Sequence, residues 1–206
     1  GPNCFVIDTM TAIAVKNNIK PVIVINKIDL KSAEELFEIY KTTGFNVFSV
    51  CAKTGENVDL LKNIIDGKLS AITGNSGVGK STILNCLDPE LNLKSAEISK
   101  KLNRGKHTTR ECTLLSVGNG YVIDTPGFGT LQGNPESIID CDELQYCFPE
   151  FEPYIENCRF YPGCAHIKDK GCAVIKAVEE GIISESRHNS YVNLYLESNK
   201  IPDWKK

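Results

Sequence analysis

Apolar residues along this chain follow two rhythms. Short runs such as "PVIVIN", "FNVFSV", "KLSAIT", "CTLLSV" and "GYVID" are nearly continuous or alternate with period two, and each predicts a strand. Between and around them, "CFVIDTMTAIAVKNN", "SAEELFEIYKTTG", "NVDLLKNIIDG" and "GKSTILNCL" space their apolar residues as helices do. The second of these carries Ser32 at its predicted cap, Glu35 in the capping-box position and Gly44 at its end. Strands alternating with helices predict βαβ units, hence an α/β fold on a mostly parallel sheet covered on both faces. The first predicted helix has no strand before it, so the chain is expected to begin part-way through its domain.

After "DTPGFG" the rhythm changes. "PESIIDCDELQYCF" is a weak helix, a turn-rich Cys/His cluster follows, and "AVIKAVEEG" and "SESRHNSYVNLYLESN" close the chain as helices. The expected division is an α/β domain over 3–130 and a small helical domain, with no strand signal, over 131–206.

Composition narrows the classes. A 206-residue chain with 41% hydrophobic and 24% charged residues is an ordinary globular balance, without a membrane-spanning run or a signal-peptide pattern. A net charge of −3 argues against a general nucleic-acid coat, but the charge is uneven. Residues 94–110 carry six Lys/Arg against one Glu in a loop-forming context, a candidate for touching phosphates. Residues 134–157 carry seven acids and no Lys or Arg, which reads as a solvated face. Nine cysteines, an odd number, argue against a disulfide framework. Six are scattered, several in apolar runs where a buried thiol is the plain expectation.

Cys158, Cys164, His166 and Cys172 form C-x5-C-x-H-x5-C. Three thiolates and one imidazole satisfy tetrahedral zinc and leave no open position, so the predicted site is structural. His188 reads as a helix-surface residue.

Chemistry concentrates in loops that follow strands. "GNSGVGKST" lies between a strand and a helix and fits the phosphate-loop pattern Gly74-x4-Gly79-Lys80-Ser81. The predicted nucleotide-binding stretch is Gly74, Asn75, Ser76, Gly77, Val78, Gly79, Lys80, Ser81 and Thr82. Its backbone N–H groups would cradle phosphate, Lys80 would bridge the β- and γ-phosphates, and Ser81 would ligate Mg²⁺. This loop alone specifies a nucleoside triphosphate, not a base. "DTPG" places Asp124 at a strand end, where it can hold Mg²⁺, and lets the Gly127 N–H reach the γ-phosphate. "NKID" (Asn26, Lys27, Ile28, Asp29) closes another strand, and Asp29 can accept both guanine N–H groups. Asn26 would tie the base to the phosphate loop while Lys27 covers the base face. "CAKTG" ends the next strand, with Cys51, Ala52 and Lys53 at the base and the Ala52 N–H directed at the guanine oxygen.

The order of these motifs, with "NKID" and "CAKTG" before "GNSGVGKST", "GKHTTR" and "DTPG", resembles the circularly permuted GTPases. Adding "CRFYPGCAHIKDKGCAV" and "RHNSYVNLY", the chain is similar to the ribosome-small-subunit-dependent GTPases of the RsgA/YjeQ family. The resemblance implies a permuted P-loop GTPase domain with a C-terminal zinc domain and an N-terminal OB-fold, of which the OB-fold is absent from this chain. It implies hydrolysis of GTP to GDP during late assembly of the 30S subunit, contact with 16S rRNA, and a monomeric cytoplasmic factor without a membrane partner. Two local departures stand out: Cys51 occupies a position usually held by serine, and five residues lie between the first two knuckle ligands where four is common.

Many GTPases place Gln after the "DxxG" glycine to orient water; here Phe128 stands there. The resemblance makes His107 the substitute, with Lys80 as electrostatic partner and Thr108 or Thr109 closing on Mg²⁺ and the γ-phosphate. Thr109 is assigned to Mg²⁺ and Thr108 to the nucleotide, with the choice between them open. The competing readings are a nucleotide-gated RNA-binding module with incidental hydrolysis, and a permuted GTPase of large-subunit assembly.

Overall fold

The computed structural model describes residues 2–93, 113–124 and 139–200. The chain divides into two compact units that do not follow chain order. One comprises Gly1–Ile23, Glu34–Val47 and Gly133–Lys206; the other comprises Val24–Ala33 and Phe48–Gln132.

Each predicted strand is present: β1 (Val22–Asn26), β2 (Asn46–Val50), β3 (Leu69–Ile72), β4 (Thr113–Val117) and β5 (Gly120–Asp124). β1 and β2 pair with each other, while the other three form a sheet in the order β3-β5-β4. β3 runs parallel to β5 with Ile72 opposite Asp124. The sequence predicts a mostly parallel sheet; its antiparallel member is β4, which runs against β5 with Val117 opposite Gly120. The cause is local: only Gly118 and Asn119 separate the two strands, and Gly118 adopts φ 58°, so the chain reverses in a two-residue hairpin.

The second unit packs α3 (Lys62–Ile65) and α4 (Lys80–Leu87) onto these strands. A 3-10 turn over Val58–Leu61 leads into α3, so "NVDLLKNII" is helical with a tightened first turn. Val50, Ala52, Val58, Leu61, Ile83, Leu84, Leu87, Val117 and Val122 form the core. Gly120 allows the closest approach, since a Cβ there would meet the Ile65 carbonyl oxygen at 2.2 Å.

The first unit holds α1 (Cys4–Lys16), α2 (Glu34–Tyr40), α5 (Cys141–Leu144), α6 (Glu152–Ile155), α7 (Ala173–Glu179) and α8 (Glu185–Asn199). The Asn3 side chain caps α1 by accepting from the Phe5 N–H at 3.1 Å. α1 ends in a Schellman motif: Asn18 is left-handed at φ 57°, and the Ile19 N–H donates to the Ala14 carbonyl at 2.8 Å. α2 begins at Glu34, two residues beyond Ser32, and Gly44 at φ 78° follows its end. The core here is Ala12, Leu144, Phe148, Phe151, Ile155, Val174, Ala177, Ile183 and Tyr191 with the three knuckle cysteines. Phe148 and Phe151 meet Tyr191 with ring centroids 5.3 and 5.0 Å apart, the edge-on geometry that aromatic quadrupoles favour.

One residue in the acidic stretch contradicts a solvated face. Asp142, Glu143, Glu152 and Glu156 are exposed, but Glu150 is buried. Its carboxylate accepts from Arg187 Nε at 2.7 Å and Nη2 at 3.2 Å. Arg187, itself 1% exposed, also donates from Nη1 to Asp8 Oδ1 at 2.8 Å and to Thr11 Oγ1 at 3.3 Å. The Tyr40 hydroxyl donates to the same Asp8 oxygen at 2.9 Å, and the guanidinium lies 4.4 Å from the Phe148 ring centroid. This buried cluster ties α1, α2 and α8 together. Of the scattered thiols that are described, Cys51 and Cys147 are buried and Cys4, Cys86 and Cys141 only half-buried; burial pushes the Cys147 thiol up to about 11. Cys112 lies outside the described residues. No helix among the described residues is long and apolar enough to cross a membrane.

Candidate functional site

Sheet register brings the phosphate loop and Asp124 together. β3 ends at Ile72 beside Asp124, so the loop leaving β3 starts at the sheet edge where the Asp124 carboxylate stands. Asp124 is 7% exposed, and its Oδ1 is buried without a hydrogen-bond partner among the described residues. Burial raises its pKa, and the Lys80 charge partly offsets this. An orphaned, buried carboxylate oxygen beside a phosphate loop suits a hydrated Mg²⁺, which would supply the missing partner.

The loop folds as its glycines allow. Gly77 and Gly79 adopt φ 80° and 101°, backbone that other residues seldom take. A Cβ at Gly79 would lie 2.3 Å from Asn26 Nδ2, so the close approach also demands glycine. α4 starts immediately after, at Lys80, and its N-terminal partial charge faces the loop. The Lys80 ammonium spans the loop, donating to the Gly74 carbonyl at 2.7 Å and to the Asn75 carbonyl at 3.3 Å. Ser81 and Thr82 sit in the first turn of α4.

The "NKID" segment joins that loop across a large sequence separation. Asn26, the last residue of β1, donates from Nδ2 to the Val78 carbonyl at 2.9 Å. Its Oδ1 accepts from the Ala52 N–H at 3.0 Å. Lys27, at φ 68°, donates from Nζ to the Gly77 carbonyl at 2.7 Å. Ile28 donates its N–H to the Val50 carbonyl at 3.4 Å, and Asp29 is exposed. In "CAKTG", Cys51 and Ala52 are buried while Lys53 is exposed. Thus the Ala52 N–H, expected at the base, is engaged by Asn26. The Cys51 backbone is braced by the Gly55 N–H at 2.8 Å and donates to Glu56 at 3.0 Å. The predicted residues Asn26, Lys27, Ala52, Gly77, Val78, Gly79 and Lys80 are therefore brought to one place. His107, Thr108, Thr109, Gly127 and Phe128 lie outside the described residues, as does the basic run at 94–110.

The metal-ligand pattern also converges. The donor atoms of Cys158, Cys164, His166 and Cys172 lie within 4.8 Å of one another, and all four residues are buried. His166 Nδ1 is 3.5 Å from Cys158 Sγ and 3.3 Å from Cys172 Sγ. Backbone N–H groups of Ala173 and Ile175 point at Cys158 Sγ and Cys172 Sγ at 3.3 and 3.4 Å, which favours thiolate charge. Without a metal, burial pushes the Cys164 thiol up to about 12, raises that of Cys172 and lowers His166. A bound zinc ion would hold the three sulfurs as thiolates and accept neutral imidazole. The donor set and its closure fit structural zinc.

Two supports for this cluster are not visible as a motif. Gln145 Oε1 lies 2.8 Å from His166 Nε2; an N–H there leaves Nδ1 free to face the sulfurs. His188, expected on a helix surface, is half-buried and places Nε2 2.7 Å from the His166 carbonyl. His166 itself is left-handed at φ 56°, so the two contacts fix an unusual backbone as well as a ring. Tyr191 adds a hydrogen bond from its hydroxyl to the Ala165 carbonyl at 3.1 Å.

Comparison with known proteins agrees with this geometry. The RsgA GTPase family model matches residues 2–134. A small ribosomal subunit biogenesis GTPase RsgA from Bacillus cereus is 42% identical over 191 residues, covering 90% of this chain and 64% of that protein. The Geobacillus kaustophilus protein of the same name is 44% identical over 197 residues, covering 93% of this chain and 66% of its own. The crystal structure of YjeQ from Thermotoga maritima superposes with a TM-score of 0.75 at 34% identity, over 98% of this chain and 68% of that one. YloQ, described as a circularly permuted GTPase, gives 0.73 at 28% identity, over 98% and 65%. The chain thus spans slightly less than two thirds of the Bacillus cereus relative, at 64%. An "NKID" segment that precedes the phosphate-loop pattern in sequence yet meets it in space is the arrangement expected of such a permuted fold, and the chain belongs to the RsgA GTPase family.

Proposed function

We propose that this chain binds guanine nucleotide, hydrolyses GTP to GDP and phosphate, and serves late assembly of the small ribosomal subunit, which stimulates the hydrolysis. The observation that carries the reading is Asn26. One side-chain amide links the Val78 carbonyl of the phosphate loop to the Ala52 N–H of "CAKTG", so base-reading and phosphate-reading segments form one site. Asp29, exposed at the end of the same segment, accepts the two guanine N–H groups. The Gly74–Thr82 backbone cradles the phosphates, with Lys80 moving from its loop carbonyls to the β- and γ-oxygens. Ser81 and Asp124 hold Mg²⁺, which when bound neutralises phosphate charge. His107 orients water, Thr108 or Thr109 closes over the γ-phosphate, and the Gly127 N–H contacts it. The basic run 94–110 meets 16S rRNA through phosphates. The zinc centre is structural, and the factor acts as a cytoplasmic monomer.

The test is GTP turnover by the chain alone, with 30S subunits and with 50S subunits. Selective acceleration by 30S supports the reading. Acceleration by 50S alone would refute the ribosomal assignment, and equal use of ATP would refute the guanine assignment. For His107, an unchanged 30S-stimulated rate in His107→Ala removes it from the mechanism.

A further inference from the structure

The Asn26 bridge does not end at Ala52. The Ala52 carbonyl accepts from the Cys86 thiol at 2.9 Å, and Cys86 stands near the end of α4, the helix that the phosphate loop opens. Three hydrogen bonds therefore run in sequence: Asn26 to Val78, Ala52 to Asn26, and Cys86 to Ala52. Both ends of this relay belong to the Val78–Cys86 stretch, so α4 closes it into a ring. Cys86 lies six positions beyond Lys80, about 9 Å of helix at 1.5 Å per residue. Ile83 and Leu84 of α4 share the core with Ala52, so the helix supports "CAKTG" by apolar packing as well.

We infer that Cys86 is a positioning residue for guanine recognition: its thiol fixes the Ala52 peptide on α4 and thereby sets where the base-reading loops stand relative to the phosphate loop. The inference rests on the guanine-nucleotide reading above. α4 is rigid, so its first turn determines the phosphate position and its last turn determines the position of Ala52. The carbonyl held by Cys86 belongs to the Ala52–Lys53 peptide and the N–H facing Asn26 Oδ1 to the Cys51–Ala52 peptide, so the two bonds pin the Ala52 Cα from both sides, orienting the Asn26 amide and leaving Nδ2 for Val78. Serine keeps a small side-chain donor at the same position, so it separates the hydrogen bond from packing. Loss of the donor would free the Ala52–Lys53 peptide to rotate, remove one of the two restraints on the Ala52 Cα and so weaken recognition of the base, while leaving the phosphate cradle in place.

The test uses the zinc-loaded chain with Mg²⁺ and fluorescent GDP, and displaces it with GDP or ADP in wild type, Cys86→Ala and Cys86→Ser. The expected result for Cys86→Ala is a GDP Kd raised about three- to tenfold, the change that losing one intramolecular hydrogen bond would bring. ADP affinity stays unchanged, so guanine selectivity narrows by the same factor, and Cys86→Ser restores GDP binding to within about twofold. A GDP Kd for Cys86→Ala within about twofold of wild type would overturn the inference. So would parallel weakening of both nucleotides, or a serine variant as weak as alanine, since these indicate packing alone. Wild type that prefers neither nucleotide refutes the guanine reading itself, and the inference falls with it.

Discussion

Replacing Arg187 by Met is expected to destabilise the unit that carries the zinc centre by about 3–5 kcal/mol, the cost of removing one partner from a buried ion pair. Methionine retains most of the side-chain stem, so the loss isolates the guanidinium. Two buried acids are then left uncompensated. Glu150 loses bonds at 2.7 and 3.2 Å, and Asp8 loses one at 2.8 Å while its Oδ2 has no partner among the described residues. Asp8 keeps the Tyr40 hydroxyl at 2.9 Å. Against a total domain stability of roughly 5–15 kcal/mol, this is a large fraction. The assay is equilibrium urea unfolding of the zinc-loaded protein by near-UV dichroism, since Tyr40 and Tyr191 are both buried in this unit. Pairing Arg187→Met with Glu150→Gln should recover at least about 1 kcal/mol relative to additivity, because the second change removes the stranded charge. A cost under about 1 kcal/mol for Arg187→Met, or full additivity in the double variant, would refute the argument that the cluster acts as a unit.

Three further outcomes follow from the geometry. Gln145→Leu removes the partner of His166 Nε2 and should weaken zinc about 10–100-fold, read by competition with a chromophoric zinc indicator. Zinc retention should fall steeply on acidification, because burial raises the metal-free thiols of Cys164 and Cys172 and each sulfur must lose a proton to bind. Indicator uptake from pH 8 to about 5.5 checks it, and pH-independent retention would exclude the cluster as the ligand set. Asp124→Asn should raise the unfolding midpoint of nucleotide-free protein near neutral pH while abolishing Mg²⁺-dependent turnover. Its folded-state pKa is raised by burial, so the charged form is the destabilising one and its burden appears as pH rises through that value; an unfolding scan with and without the substitution decides it.

What the sequence made legible is what repeats or sits at a strand end. "VIVIN" and "GYVID" announced strands and, at their ends, Asn26 and Asp124; local chemistry determined both. The antiparallel β4–β5 pair was hidden by two residues of turn, since period-two patterning carries no direction. Polar residues that turn inward were harder still. Arg187, Ser190, Tyr191 and Ser198 are buried on α8, and Leu194 packs with them, a stripe at helical spacing in which a charged residue occupies the first position. That stripe could have placed Arg187 inside, but its partners lie far away in sequence and no local pattern names them. Gln145 and His188 were missed for the same reason: neither ligates the cluster, and support through a ring nitrogen or a backbone carbonyl leaves no spacing signature.

The Arg187–Asp8 pair also sets a schedule for synthesis. The two residues are 179 positions apart. On a ribosome adding about 5–20 residues per second, α1 would emerge roughly 10–35 seconds before α8 supplies its guanidinium. During that interval Asp8 must remain solvated, and the apolar side of α1 has no finished partner. The loops at 24–33 and 48–93, whose mutual contacts are complete earlier, can assemble during the wait. Strong overproduction would lengthen exposure of α1 across many nascent chains, making this helix the segment for a chaperone to shield and the first place to look for aggregation.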